Sequence, residues 1–224
     1  MPNWVFNQLT IEGSEEDIAK VKAQLNKPFT AQLSEDKEPT LYSNPVIAFW
    51  NIIAPPEDKI EEYFGVHGYA DGEKQGDTEY NWYNFNRTKW GTKWDIGVAD
   101  GVKYSETELL EESNTELNYK FNTAWAPPTS AIEELSRQYP EVTIILSYEE
   151  ESEWGGEIEY LAGEEVSVSE YDSPSSHEDY VDRDRENSCV CGREEDKSEW
   201  YDDCPGAKGK EINLFAVKDV EIVK

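Results

Sequence analysis

Bases, thiols, imidazoles and long apolar runs are all scarce in this chain, and each scarcity removes a class of function. His67 and His177 are the only histidines among 224 residues, so Ser-His-Asp and Cys-His catalysis have little material to work with. Three cysteines, an odd number gathered late in the chain, do not make a disulfide framework for a domain of this size. No stretch approaches 18 consecutive apolar residues, the length that spans a bilayer as a helix. Glycine-rich phosphate loops, dinucleotide fingerprints and EF-hand loops are missing as well. The start, Met1-Pro2-Asn3-Trp4-Val5, has neither the basic n-region nor the apolar h-region of a secretory signal. Together these absences predict a non-enzymatic, cytoplasmic protein.

The scarcest property is positive charge. Lys and Arg total 20 against 49 Asp and Glu, for a formal net charge of −29. A surface of that sign repels nucleic acid and anionic membrane and attracts basic surfaces, so the expected partner is a host protein with a basic surface. A folded chain of 25.7 kDa exposes roughly 10,400 Å², or about 360 Å² per net charge if the charge is spread evenly. Duplex DNA shows about one charge per 110 Å². Imitating DNA therefore requires the acids to be concentrated. They are partly so: residues 1–150 carry 27 acids and 12 bases, residues 151–224 carry 22 and 8.

What is present argues for a folded core. Aromatic residues make up 12%, including eight Trp and thirteen Tyr, which an acidic disordered chain does not carry. Residues 4–11 alternate like a strand. Ser14 and Asp17 then read as a capping box ahead of Ile18, Val21 and Leu25 at helical spacing. Residues 28–45 read as loop, 46–53 as a buried strand ended by Pro55-Pro56, and 57–64 as a short helix. Residues 65–116 form an insertion, with a strand near 92–98 and an acidic helix near 105–112. Residues 117–123 alternate again. Ser130 and Glu133 repeat the capping signal before Ile132, Leu135 and Tyr139, and 142–148 is a strand. The order β-α-β, insertion, β-α-β predicts an α+β, ferredoxin-like (split β-α-β) antiparallel sheet with two helices on one face. Residues 155–168 read as a hairpin, 164–206 as an acidic, cysteine-containing extension, and 207–224 as a final strand returning to the 1–163 core.

Three stretches carry a family resemblance. Met1-Pro2-Asn3-Trp4-Val5-Phe6-Asn7 runs into Leu9-Thr10-Ile11-Glu12-Gly13. Trp90-Gly91-Thr92-Lys93-Trp94-Asp95 follows, and then Phe121-Asn122-Thr123-Ala124-Trp125-Ala126-Pro127-Pro128 leads to Leu135-Ser136 and Tyr139-Pro140. In this order they resemble the YubB ferredoxin-like family of phage and plasmid proteins, whose function is poorly defined. The resemblance covers residues 1–163. It implies the ferredoxin-like fold and an origin in a phage or other mobile element.

Each candidate site also has a plainer role open to it. Trp90, Lys93, Trp94 and Asp95 have the chemistry to stack on and hydrogen-bond a nucleotide-like ligand; alternatively they form a glycine-hinged turn sealing the sheet edge. Cys189, Cys191 and Cys204 with His177 offer four zinc ligands, although Cys-x-Cys is not the usual spacing; the alternative is reduced free thiols, and no other cofactor is expected. Acids interleaved with aromatics remain: Glu149, Glu150, Glu151, Glu153 and Trp154, then Asp179, Asp182, Asp184, Glu194, Glu195, Glu199, Trp200, Tyr201, Asp202 and Asp203. Trp and Tyr beside carboxylates are natural anchors for a groove lined by Arg and Lys. The reading favoured by the sequence is an inhibitor of a host nucleic-acid-binding defence protein, acting as a partial DNA mimic or decoy. The alternative is sequestration of a nucleotide signal by the Trp-rich insertion.

Overall fold

The computed structural model describes residues 3–31, 40–65, 78–97 and 106–172. They belong to one compact unit, Met1–Asp172. The predicted extension beyond it and the strand at 207–224 lie outside the described residues, as do His177, the three cysteines and all the candidate acids and aromatics from Asp179 to Asp203.

The sheet is built around β1 (Trp4–Glu12), on which Val5, Leu9 and Ile11 alternate inward. The following helix α1 (Glu15–Leu25) starts where Ser14 caps it: the Asp17 amide donates to Ser14 Oγ at 3.2 Å, and Ser14 Oγ donates to the Asp17 carboxylate at 2.6 Å. Ile18, Val21 and Leu25 bury its inner stripe. A long crossing segment then carries the short pair β2 (Phe29–Ala31) and β3 (Thr40–Tyr42), α2 (Ile60–Gly65) and α3 (Trp82–Phe85). The chain rejoins the sheet at β4 (Glu108–Glu112) and turns into β5 (Glu116–Ala124). From there it crosses as α4 (Thr129–Gln138) to β6 (Thr143–Glu150), and closes with β7 (Gly155–Leu161) and β8 (Glu164–Tyr171).

All neighbours are antiparallel, in the order β4-β5-β1-β6-β7-β8. β1 lies between β5 and β6, the two strands joined by α4, so the unit β1-α1-β4-β5-α4-β6 is a split β-α-β with the crossing segment inserted before its second strand. β7 and β8 extend the sheet to Tyr171, beyond the core boundary read at residue 163. Inward residues of β1, β5 and β6 pack with α1 and α4 in a single core that also takes Phe49, Phe85 and Trp90 from the crossing segment. Each such aliphatic or aromatic side chain contributes about 1.5–3 kcal/mol when fully buried. Asn7 is the polar exception on β1, its amide donating to Val5 O, Phe121 O and Thr123 Oγ1.

Four expectations are corrected. Residues 46–53 are no strand: Phe49–Asn51 form a 3-10 turn, because Phe49 N and Trp50 N are taken by the Asp95 carboxylate and are lost to any ladder. The second strand of the ferredoxin-like unit is instead β4, in the stretch read as an acidic helix. Glu and Leu favour helices in isolation, but pairing with β5 and the contacts of Glu108 to Lys120 and Glu112 to Lys22 prevail. No strand forms over 92–97, whose backbone serves the turn described below. Ser130 lies already inside the first turn of α4, and Pro128 occupies its N-cap without a side-chain cap.

Candidate functional site

The tryptophan motif is half anchor and half surface. α3 continues as a π-helical turn, Asn86–Trp90, that ends at Gly91 with φ +85°. A side chain there would meet the backbone of Pro127, Thr129 and Ser130 at 3.2–3.3 Å, so this turn seats only glycine against the start of α4. Trp90 is buried in the core, with Nε1 donating to Ile53 O at 2.9 Å and its ring packed near Phe49 and Phe85. Asp95 is also buried: Oδ1 accepts from Phe49 N and Gly97 N, and Oδ2 from Trp50 N, all at 2.8–2.9 Å. Burial pushes its carboxyl above the usual range, and the three amides pull the other way. These two residues knit the insertion to the core, which withdraws them from the proposed ligand set.

Lys93 and Trp94 remain, and they gather partners the sequence did not connect. The Lys93 ammonium lies 4.6 Å from the Trp94 ring centre and 4.2 Å from that of Trp125. Such contacts contribute about 0.5–2 kcal/mol each, the more so when dry, and Lys93 is only 8% exposed. Burial lowers the pKa of its amine. Trp4 leans on Trp94 at 6.1 Å, Tyr83 on Trp125 at 6.4 Å, and Arg87 lies over Tyr83. Trp125 itself holds φ +75° and is 40% exposed, a costly backbone state for a bulky residue. No local signal in the sequence links Trp125 to Lys93; the fold alone brings them together.

The acidic run at the β6–β7 turn reads differently in three dimensions. Glu149 and Glu150 are 7% and 2% exposed, so neither is presented to a partner, a correction to their proposed role. They end β6, where the alternation of buried and half-buried residues gives way and both are covered. As neighbours they point to opposite faces, Glu149 pairing across from Phe6 and Gly155 and Glu150 across from Val5, with Glu150 Oε2 accepting from Ser152 N at 2.6 Å. Glu153, with φ +68°, donates its amide to Glu150 O. Trp154 is half-buried, its ring set edge-on to Tyr148. Of the predicted acids that are described, Glu151 is the one that is exposed.

Exposed acid lies instead on the last two strands. Glu157 on β7 and Glu164, Glu165 and Glu170 on β8 face solvent. From residue 141 to residue 172 the sequence holds eleven Asp or Glu and no Lys or Arg, and that absence is the mark by which the patch is legible. Beside the acids, Val166 and Val168 are 53% and 50% exposed. Among the described residues no cluster of His, Cys, Asp and Glu is arranged to hold a metal ion, and no helix is long and apolar enough to cross a membrane.

Comparison with known proteins adds a match over part of the chain. Residues 103–201 match the family model described as the ferredoxin-like domain in Api92-like protein. The match takes in β4 to β8 with α4, and runs past residue 163, where the resemblance read from the sequence stops. It carries the Api92 name and not that of the related YubB family; the common content is the ferredoxin-like domain, in agreement with the strand order. A crystal structure of a protein api92 from Yersinia pseudotuberculosis is similar to this chain at 11% identity with a TM-score of 0.49, over 77% of this chain and 99% of that one. No curated protein sequence matches.

Proposed function

We propose that this protein is a non-enzymatic acidic decoy that occupies the basic surface of a nucleic-acid-binding protein. The observation that carries the reading is the base-free stretch 141–172 with its exposed carboxylates on β7 and β8. In an extended strand, alternate carboxylates stand about 6.7 Å apart, twice the spacing of phosphates projected on the axis of one DNA strand, about 3.4 Å. The patch therefore competes through its field and not as a replica of the phosphate lattice. Such a field speeds association and makes it sensitive to salt. A cytoplasmic role in a phage or other mobile element, directed at a host defence protein, fits this chemistry, and the motifs from Trp90 to Asp95 and from Phe121 to Pro128 support kinship with YubB proteins.

The test is a pull-down from host lysate over a salt series. The intact chain is compared with a variant carrying Gln at 157, 159, 164, 165 and 170. Partner capture that weakens with salt and is lost in the variant supports the reading; capture indifferent to both overturns it. A second reading rests on the Trp94–Lys93–Trp125 clamp, which presents an exposed ring beside a cation. On this reading a nucleotide-like anion docks beside the clamp, and stabilisation in a thermal-shift screen against nucleotides would favour it over the decoy.

A further inference from the structure

The acidic patch coincides with a sheet edge. β8 is the last strand of the sheet among the described residues, and from Ser167 to Tyr171 it runs in unbroken register with β7. The one register shift of β8 lies nearer its start, between Glu159 and Tyr160 of its partner. The opposite edge is shorter and tied: β4 carries its register break mid-strand, between Leu109 and Glu111, and Glu108 and Glu112 are tied to Lys120 and Lys22. Bulges and tied charges blunt an edge, whereas a regular, exposed strand offers its amides and carbonyls to another chain. Along β8 the two faces differ. Ser167 and Ser169 lie across from Glu159 and Glu157 on the helix-free face, and Val168 lies across from Ile158 on the other.

Resting on the decoy reading, we propose that β8 binds its partner by strand addition, and that the occupant is an extended segment alternating Lys or Arg with apolar residues. Bases on one side of such a strand reach over the serines to Glu157 and Glu159, and apolar residues on the other side cover Val168. Main-chain hydrogen bonds supply affinity and the alternation supplies the preference. A second copy is the wrong occupant, since edge-to-edge pairing would set the acids of one β8 against those of another.

The experiment uses the full chain and labelled hexapeptides at low salt. The probe is Lys-Val-Lys-Val-Lys-Val, compared with Lys-Lys-Lys-Val-Val-Val and with two N-methylated forms of the alternating peptide, one blocked at every Lys amide and one at every Val amide. Alternate amides of a strand point to opposite sides, so one methylated form loses the bonds to β8 while the other loses nothing. The expected result is about tenfold weaker binding for one methylated form and near-full binding for the other, with the block peptide also about tenfold weaker. Equal behaviour of the two methylated forms, or no binding of the alternating peptide, overturns strand addition. If basic peptides still bind in a salt-sensitive way, the decoy reading survives that result. A chain that sediments as a dimer and takes up peptide only when dissociated assigns the edge to a second copy, and overturns it too.

Discussion

The crossing segment and the β7–β8 edge are two additions to one small α+β unit, built on opposite chemical plans. The crossing segment is aromatic and inward-looking: Trp90 and Asp95 bond it to itself, at Ile53 and at Phe49; Phe49, Phe85 and Trp90 sink into the core; and Lys93 is folded between two indoles. The edge is carboxylate-rich and outward-looking, with exposed valines among the acids. A polar group that is buried must find its partners inside the protein, while one on the surface is free to serve another molecule. Stability should therefore concentrate in the first region and recognition in the second.

Substitutions at Asp95 should break that comparison most visibly. Asp95→Ala leaves three backbone amides without their acceptor and is expected to cost about 2–4 kcal/mol, read as a lower midpoint in urea. Replacing Glu164 and Glu165 together by Gln should leave the same midpoint within about 0.5 kcal/mol. If the two midpoints fall alike, the division of labour is wrong. Next in size is Tyr63, whose hydroxyl donates to Asn86 Oδ1 at 2.8 Å: Tyr63→Phe should cost about 1 kcal/mol. Tyr160 reports on the sheet beside the acidic edge; its hydroxyl is buried with no hydrogen-bond partner among the described residues, so Tyr160→Phe should be neutral or stabilising.

Alkaline titration joins both regions. Burial raises the pKa of Tyr63, Tyr119 and Tyr160 above the ordinary 10.0. Above pH 10 the unfolded chain releases protons that the folded chain keeps, so stability is intact below that value and falls as pH climbs past it. Absorbance of tyrosinate should show these three titrating together with unfolding and the exposed tyrosines earlier; simple titration of all thirteen at once would contradict the burial. The smallest effect is expected at Trp125. Trp125→Gly relieves the left-handed backbone yet removes one face of the Lys93 clamp, so the midpoint should move by less than about 1 kcal/mol, while indole fluorescence changes clearly.

Periodicity made the helices and the three central strands legible. Ser14 with Asp17, and the alternation of Leu117, Tyr119 and Phe121, are local signals that the tertiary structure leaves intact. The errors fell where distant groups decide. Nothing near residue 49 announces that a carboxylate 46 residues later will take its amide, and nothing in Glu108–Glu112 announces its pairing with β5. Glu149 and Glu150 show the same limit at the candidate site, since a run of three acids gives no hint of which two turn inward. The clamp was half visible: the Trp-Lys-Trp spacing drew attention to the right segment, but Trp125 joins it only through the fold.

Asn7 has a consequence for how the chain finds this fold. β1 must pair with a strand more than 100 residues away, across the whole crossing segment, and apolar alternation alone would tolerate a slip by two residues. A slip of one would turn Asn7 and its neighbours to the opposite face. Only the native register brings the Asn7 amide to Thr123 Oγ1 and Phe121 O; in any other it keeps the local bond to Val5 O but loses these cross-strand partners, at about 1 kcal/mol. One side chain thus acts as a proofreading device for the pairing of β1 with β5. It gives the nascent strand a reason to let go of a near miss and search again.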